Sequence, residues 1–191
     1  IKKYLQKASN ATDRLGYIIK DVDLITEFET RVTNLKIEKF DLCKLIIDLV
    51  DSFEIKMKQK GIEITYDFGN DKSIFVNADN FRITQVMSNL IVNSLNYGVE
   101  NGTIEIVTKN LSKEKLLVRV IDNGQGIPEN DLPRIFERFY RVDKTRNRQE
   151  GGSGLGLAIV KHIVEAHNEI VYVESSLNVG SEFSFTLTKS N

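Results

Sequence analysis

"VIDNGQGIP", residues 120–128, is the stretch on which the reading of the whole chain turns. An apolar run leads straight into Asp122-Asn123-Gly124-Gln125-Gly126, so a carboxylate stands at a strand end beside two glycines. A carboxylate in that place accepts hydrogen bonds well, for instance from the exocyclic amine of a purine. Gly124 and Gly126 permit tight turns and close approach of the backbone to a flat ring. Asn-Gly is equally a common turn pair, so the stretch by itself also fits a plain turn. What stands on either side has to decide.

Upstream lies "DNFRITQVMSNLIVNSLNYG", residues 79–98, which reads as a helix opening at Asp79. Asn89 and Asn93 are one turn apart and project from the same face. Asparagine is a mediocre helix former, and with Asn96 there are three in the second half of an apolar helix. An amide oxygen can ligate a hard cation such as Mg²⁺ alongside phosphate oxygens and water; solvated or turn-capping asparagines are the plainer alternative. Downstream lies "GGSGLGLAIVKHIV", residues 151–164, where glycines run into an amphipathic helix. Free N–H groups and the helix dipole favour an anion such as phosphate there. Neither common nucleotide fingerprint fits: the preceding segment is loop rather than strand, and no Gly-Lys-Ser/Thr ending is present. Taken jointly, the asparagine helix, the acidic turn and the glycine hinge point to a nucleotide site with a covering loop.

Further out, Ile1, Tyr4, Ala8, Ala11, Leu15, Ile18, Val22 and Ile25 alternate spacings of three and four. That is a coiled-coil seam over about three and a half heptads, implying a partner helix, although an amphipathic helix packed on its own domain has the same signature. A short strand is expected over 33–41, then a helix over about 41–60 capped by Asp41 and stopped by Gly61. Strands follow at "IEITYDF" and "SIFVN", then near 103–109 and 115–121, with a helix from about 154 to 167 and two closing strands. Residues 123–153 hold both prolines and no period, which suggests a binding loop. The expected fold is an α/β (α+β) sandwich, a mixed sheet with helices on one face. Two units are expected, 1–34 and 35–191.

Composition bounds the rest. With 41% hydrophobic and 28% charged residues and a net charge of −1, the chain offers no global field for nucleic acid or an anionic membrane. Cys43 is the one cysteine, so no internal disulfide forms, and a reducing compartment fits. The most apolar run, "LCKLIIDLV", is broken by Lys44 and Asp48 and falls short of a membrane span. The chain opens on Ile1, and the expectation is a piece of a longer protein whose anchor or sensor lies upstream.

The set resembles the catalytic domain of sensor histidine kinases, within the Bergerat-fold ATPases. "NLIVNSLNYG" is similar to the asparagine box and "DNGQGIP" to the first glycine box. "FERFYRVD" is similar to the phenylalanine box and "GGSGLGLAIVKHIVEAH" to the second glycine box. The closing "VYVESSLNVGSEFSFTL" and the junction "FDL" match as well, and "RLGYIIKDVDLITEFE" resembles the second helix of the dimerisation and phosphotransfer hairpin. The resemblance implies ATP and Mg²⁺ as ligands, with Asn93 on the metal and Asn89 near the phosphates, Asn89 and Arg138 assisting transfer. It implies Tyr97 lining the pocket, Asp122 on the adenine amine, and Gly124, Gly126 and Ile127 shaping the base site. Phe136 and Phe139 would anchor an ATP lid, Arg138 and Arg141 would reach phosphate or the dimerisation helices, and Gly152, Gly154 and Gly156 would let the lid close over Leu155.

Two positions depart from the family pattern. Asn96 stands where a lysine is usual, with Lys144, Arg146 or Arg148 as substitutes, and Asn168-Glu169 replaces Gly-Gly. Hydrolytic relatives activate water with a glutamate on the corresponding helix, whereas Asn89 is an amide and Glu100 lies outside that spacing. The resemblance therefore implies a kinase passing the ATP γ-phosphoryl to a histidine, then to a response-regulator aspartate. Only His162 and His167 are present, about 140° apart on one helix, so the acceptor is expected upstream and this stretch should not phosphorylate itself. The implied setting is the cytoplasmic portion of a membrane-anchored bacterial receptor, a homodimer through its hairpin, with no nucleic-acid or membrane contact of its own. A catalytically inactive scaffold and a serine kinase of the anti-sigma type stay open as alternatives.

Overall fold

The computed structural model describes residues 34–142 and 153–190. The expected coiled-coil seam and the unit 1–34, save Asn34 itself, lie outside the described residues, as do Lys144, Arg146, Arg148 and Gly152. In chain order the elements are β1 (Ile37–Asp41), α1 (Leu42–Asp51), α2 (Glu54–Lys60), β2 (Glu63–Asp67), β3 (Phe75–Asp79) and α3 (Asn80–Tyr97). Then come β4 (Thr103–Asn110), β5 (Lys115–Asp122), a single 3-10 turn (Leu132–Arg134), α4 (Gly156–Ala166), β6 (Val171–Ser176) and β7 (Gly180–Thr188).

Five strands form a mixed sheet in the order β2-β4-β5-β7-β6. β2 runs parallel to β4, and the other neighbours are antiparallel. Alternate residues of the long central strands (Leu116, Val118 and Val120; Phe183, Phe185 and Leu187) point to the helix side and are fully buried. They meet Ile83, Val86, Met87, Leu90 and Ile91 of α3 and Ile159, Val160 and Ile163 of α4 in one core. The opposite face carries polar pairs such as the Arg119–Glu182 ion pair, bidentate at 2.6 Å for each contact. This is the expected sandwich with its helices on one face.

Two local expectations change. The helix over 41–60 is broken at Ser52–Phe53 into α1 and α2. The Ser52 hydroxyl turns back to the Leu49 carbonyl at 2.5 Å, competing with the helical bond, and Phe53 swings into the core. The strand expected over 33–41 is confined to Ile37–Asp41 and pairs with β3 in a separate antiparallel ribbon. The caps are as expected. Asp41 accepts from Cys43 N–H and Lys44 N–H, Asp79 accepts from Arg82 N–H, and Gly61 ends α2 at φ 65°.

Candidate nucleotide-binding site

Asp122 is the last residue of β5 and is only 8% exposed. Its Oδ1 accepts Gly124 N–H at 3.0 Å, and its Oδ2 accepts the Ser94 hydroxyl at 2.9 Å. Burial raises its carboxyl above the ordinary aspartate range, and the Gly124 and Ser94 hydrogen bonds pull it partly back. A carboxylate has about four lone-pair sites. Three are engaged, by Gly124 N–H, the Ser94 hydroxyl and Ser181 N–H, so capacity remains for one further donor. Ser94 escaped the reading of the sequence. Its signal was its place on the buried stripe with Leu90, Ile91 and Leu95, where a polar residue needs a buried partner.

The turn after Asp122 is pinned on both sides. Gln125 N–H donates to Tyr97 O at 3.1 Å, Asn178 N–H donates to Gln125 O at 2.6 Å, and Ile127 N–H donates to the Ser175 hydroxyl at 2.8 Å. Gly126 has φ +68°, and a Cβ there would fall 2.0 Å from Ser176 O, so only glycine fits. At Gly124 a Cβ would meet Tyr97 O at 2.6 Å, which brings the turn against the end of α3. Ile127 packs on the core, and Tyr97 is half exposed. Asp122, Gly124, Gly126, Ile127 and Tyr97 thus come together where the turn after β5 packs on the end of α3, and Ser175 anchors the turn.

Asn89 and Asn93 lie on α3 further from that turn, both half-buried. The amide nitrogen of Asn89 is buried and makes no hydrogen bond within the protein, although a buried donor without a partner costs about 1–3 kcal/mol. It lies beside the first residue of α4, where a Cβ on Gly156 would sit 3.7 Å from Asn89 Oδ1. An unsatisfied donor therefore stands next to a helix N-terminus, and both features favour an anion. Leu155 is fully buried directly before that terminus, its N–H bonded to the Ser153 hydroxyl at 3.2 Å.

Gly154 takes φ +75° and accepts Phe139 N–H at 2.9 Å. Phe136 packs against the core as expected. The Phe139 ring does not: it is 62% exposed, and it is the backbone of Phe139, at φ 61°, that ties this segment to the glycine hinge. The segment is braced further by Tyr140 hydroxyl to Asp131 and by the Arg134–Glu137 pair at 3.0 Å. Arg138 is exposed and Arg141 half-buried. His162 and His167 are both on or beside α4 and not at the turn after β5. Asn168 adopts φ 57°, so the turn made by glycines in the family survives. Among the described residues no cluster of three or more His, Cys, Asp or Glu that could hold a metal ion is found.

This geometry defines a nucleotide-binding ATPase-type domain, and the comparisons agree. The chain belongs to the family described as "Histidine kinase-, DNA gyrase B-, and HSP90-like ATPase", which residues 78–191 match. More narrowly, it holds the ATP-binding catalytic domain found in sensor histidine kinases. It is 34% identical over 186 residues to the sensor histidine kinase WalK of Bacillus subtilis (strain 168), covering 97% of this chain and 30% of that one. The sensor protein kinase WalK of Staphylococcus aureus is also 34% identical, covering 97% of this chain and 44% of that one. The chain thus spans less than half the length of these relatives. Among solved structures, the catalytic domain of histidine kinase ThkA superimposes with a TM-score of 0.70 at 30% identity, covering 81% of this chain and 96% of that one. Full-length ShkA in complex with AMPPNP gives 0.86 at 25% identity, covering 99% and 39%. No helix of the described residues is long and apolar enough to cross a membrane.

Proposed function

We propose that this chain binds Mg²⁺·ATP in the cleft between α3 and α4 and passes the γ-phosphoryl to a histidine on a phosphotransfer helix, for relay to a response-regulator aspartate. The observation that carries the reading is Asp122, a buried carboxylate held by Ser94, Gly124 and Ser181 with acceptor capacity for one further donor. The adenine amine donates to Asp122 over the Gly124–Gly126 turn, Tyr97 and Ile127 border the base, and the phosphates run along α3 toward Asn89 and the start of α4. Mg²⁺ held at Asn93 would supply positive charge to the phosphate oxygens.

In the transfer an imidazole nitrogen attacks the γ-phosphorus and an N–P bond forms. The bond from that phosphorus to the β,γ-bridging oxygen breaks, ADP departs with the electron pair, and the imidazole proton passes to solvent. Asn89 offers an N–H donor to phosphate and no base for water, which favours transfer over hydrolysis. Arg138, exposed on the segment after the 3-10 turn, supplies charge to the phosphates when that segment closes. The nucleophile comes from elsewhere than α4, where both histidines of the chain lie. The structure of ThkA in complex with response regulator TrrA, 28% identical with a TM-score of 0.74, supports a receiver domain as the downstream partner. The same reading places the domain on the cytoplasmic side of a dimeric receptor.

The test is titration of an ATP analogue with and without Mg²⁺ on the chain and on Asp122→Ala, followed by transfer from ATP to a supplied phosphotransfer hairpin. Micromolar to millimolar binding that needs Asp122, then a phosphohistidine on the hairpin and none on this chain, is expected. Binding without transfer leaves a scaffold; a phosphoserine product means a serine kinase.

A further inference from the structure

At the ends of α3 and α4 remote from the turn after β5, one histidine and one aspartate join three segments. The two helices run antiparallel: Gly156, the first residue of α4, lies against Asn89 in the middle of α3, and His167, just past the end of α4, bonds to Asp79 just before α3. His167 has Nδ1 2.8 Å from Ile163 O. A ring nitrogen against a carbonyl oxygen donates, so Nδ1 carries a hydrogen, and Nε2, which faces the Asp79 N–H, presents its lone pair. That lone pair accepts Asp79 N–H at 3.0 Å. The Asp79 carboxylate, buried at 8% exposure, divides its oxygens. Oδ1 accepts Arg82 N–H at 3.0 Å and caps α3; Oδ2 accepts Lys36 N–H at 2.9 Å, a residue 43 positions away. Lys36 sits immediately before β1, where the catalytic unit meets the segment read as a phosphotransfer helix.

Ending α4 does not require this arrangement. The His167 backbone already donates to Ile163 O and Val164 O, at 3.2 and 3.1 Å, and the ring adds its own bond to Ile163 O. The bond from Asp79 is additional, and its effect is to join the end of α4 to the residue that holds both α3 and Lys36. We propose that His167 is a positioning residue for phosphoryl transfer. Acting through Asp79, it fixes the backbone at Lys36 relative to the two helices that carry the nucleotide groups. The proposal rests on the kinase reading above. Coupling between sites is reciprocal, so nucleotide at one end of α3 and α4 must be felt at Lys36.

The experiment is residue-resolved amide hydrogen exchange on the whole 191-residue chain, with and without a Mg²⁺·non-hydrolysable ATP analogue. In the wild type, nucleotide should slow exchange at the Asp79 and Lys36 amides by about fivefold or more. His167→Phe keeps the bulk and removes the acceptor. It should leave nucleotide affinity within about threefold, speed exchange at both amides, and abolish their response to nucleotide. His167→Gln returns an acceptor and should restore the response, which a role in packing alone would not do. Asp79→Ser keeps a cap for α3 with one oxygen, and should reproduce the loss at Lys36 even if His167→Phe folds poorly. A wild-type chain that binds nucleotide without any change at Lys36, or an unchanged response in His167→Phe, overturns the proposal. A wild-type chain that binds no nucleotide overturns the kinase reading instead. In that event unaltered nucleotide-free exchange at Lys36 in His167→Phe and Asp79→Ser overturns the link as well.

Discussion

Replacing Asp122 by asparagine should move stability and nucleotide affinity in opposite directions at neutral pH. In the folded chain burial holds the carboxyl above the ordinary aspartate range, despite hydrogen bonds from Gly124 and Ser94. A group whose folded-state pKa is raised contributes its full share of stability below the unfolded value and loses it as pH rises through the folded one. At pH 7.5 the charged side chain is therefore a net burden on the nucleotide-free fold. Asp122→Asn removes that burden, while its amide still offers an acceptor to Gly124 N–H and a donor to the Ser94 oxygen. The variant should melt higher than wild type at pH 7.5, by a margin that shrinks as pH is lowered through the carboxyl's range. Its affinity for an ATP analogue should fall, because a hydrogen bond from the adenine amine to a carboxylate is charge-assisted. Such a bond contributes about 1.5–3 kcal/mol. At about 1.4 kcal/mol per decade this is roughly a 10- to 150-fold weaker Kd. Calorimetric titration and thermal melts over pH 4.5–8 (an assay range of about that width spans the carboxyl's titration) measure both. Equal affinity in the variant, or a lower melting temperature at pH 7.5 than wild type, would refute the account of Asp122.

Other outcomes follow from the same geometry. Gly126→Ala places a Cβ 2.0 Å from Ser176 O at φ +68°, and should cost more than about 3 kcal/mol in a urea melt. Gly156→Ala meets only ordinary contact at 3.7 Å and should change stability by less than about 1 kcal/mol, so lost nucleotide affinity there would report phosphate approach and not misfolding. Asn93→Ala should narrow the difference between affinities measured in Mg²⁺ and in chelator, and an undiminished difference would remove Asn93 from the metal. Glu169→Gln should destabilise by about 1–3 kcal/mol at pH 7, discounted toward the lower figure because the Lys115 side chain is 42% exposed.

How much of this was legible in the sequence depends on how local each signal is. Asp79 before an apolar-periodic run, Asp41 before another, and Gly61 after a third mark helix ends through contacts a few residues long, and all three hold. The turn at Asp122–Ile127 was legible for the same reason. Pairing of β1 with β3 was not, since Phe40 meets Val76 across an intervening stretch that contains two helices and a strand. Ser52 and Phe53 broke a helix that hydrophobic pattern alone would continue, because a hydroxyl bond and a buried ring outweighed propensity. Within the candidate site, Asn89, Asn93 and Asp122 could be proposed from residue type. Ser94 and Ser175 could not, because their roles are defined by partners 28 and 48 residues away.

Two buried acids show how function and structure separate within one fold. Asp122 and Glu169 are both nearly inaccessible and both sit at the margins of the central sheet. Burial pushes each upward. At Asp122 it prevails over the donors, whereas at Glu169 the hydrogen bonds from Lys115, Thr186 and Thr188 prevail and hold the carboxyl below the usual glutamate range. Glu169 Oε1 accepts from Lys115 Nζ at 2.6 Å and from the Thr188 hydroxyl at 2.8 Å, and Oε2 accepts from the Thr186 hydroxyl at 2.6 Å. That carboxylate is saturated and stabilises the fold above the ordinary glutamate pKa, losing its contribution as pH falls through the depressed folded value. It explains how a charged residue is tolerated where the family has glycine, directly after the left-handed Asn168. Asp122 is also held by three donors, Gly124 N–H, Ser181 N–H and the Ser94 hydroxyl, but none of them is charged, and its desolvation is not offset. A buried acid whose protein partners do not offset its desolvation is a candidate for ligand binding, and one whose partners do is a structural joint.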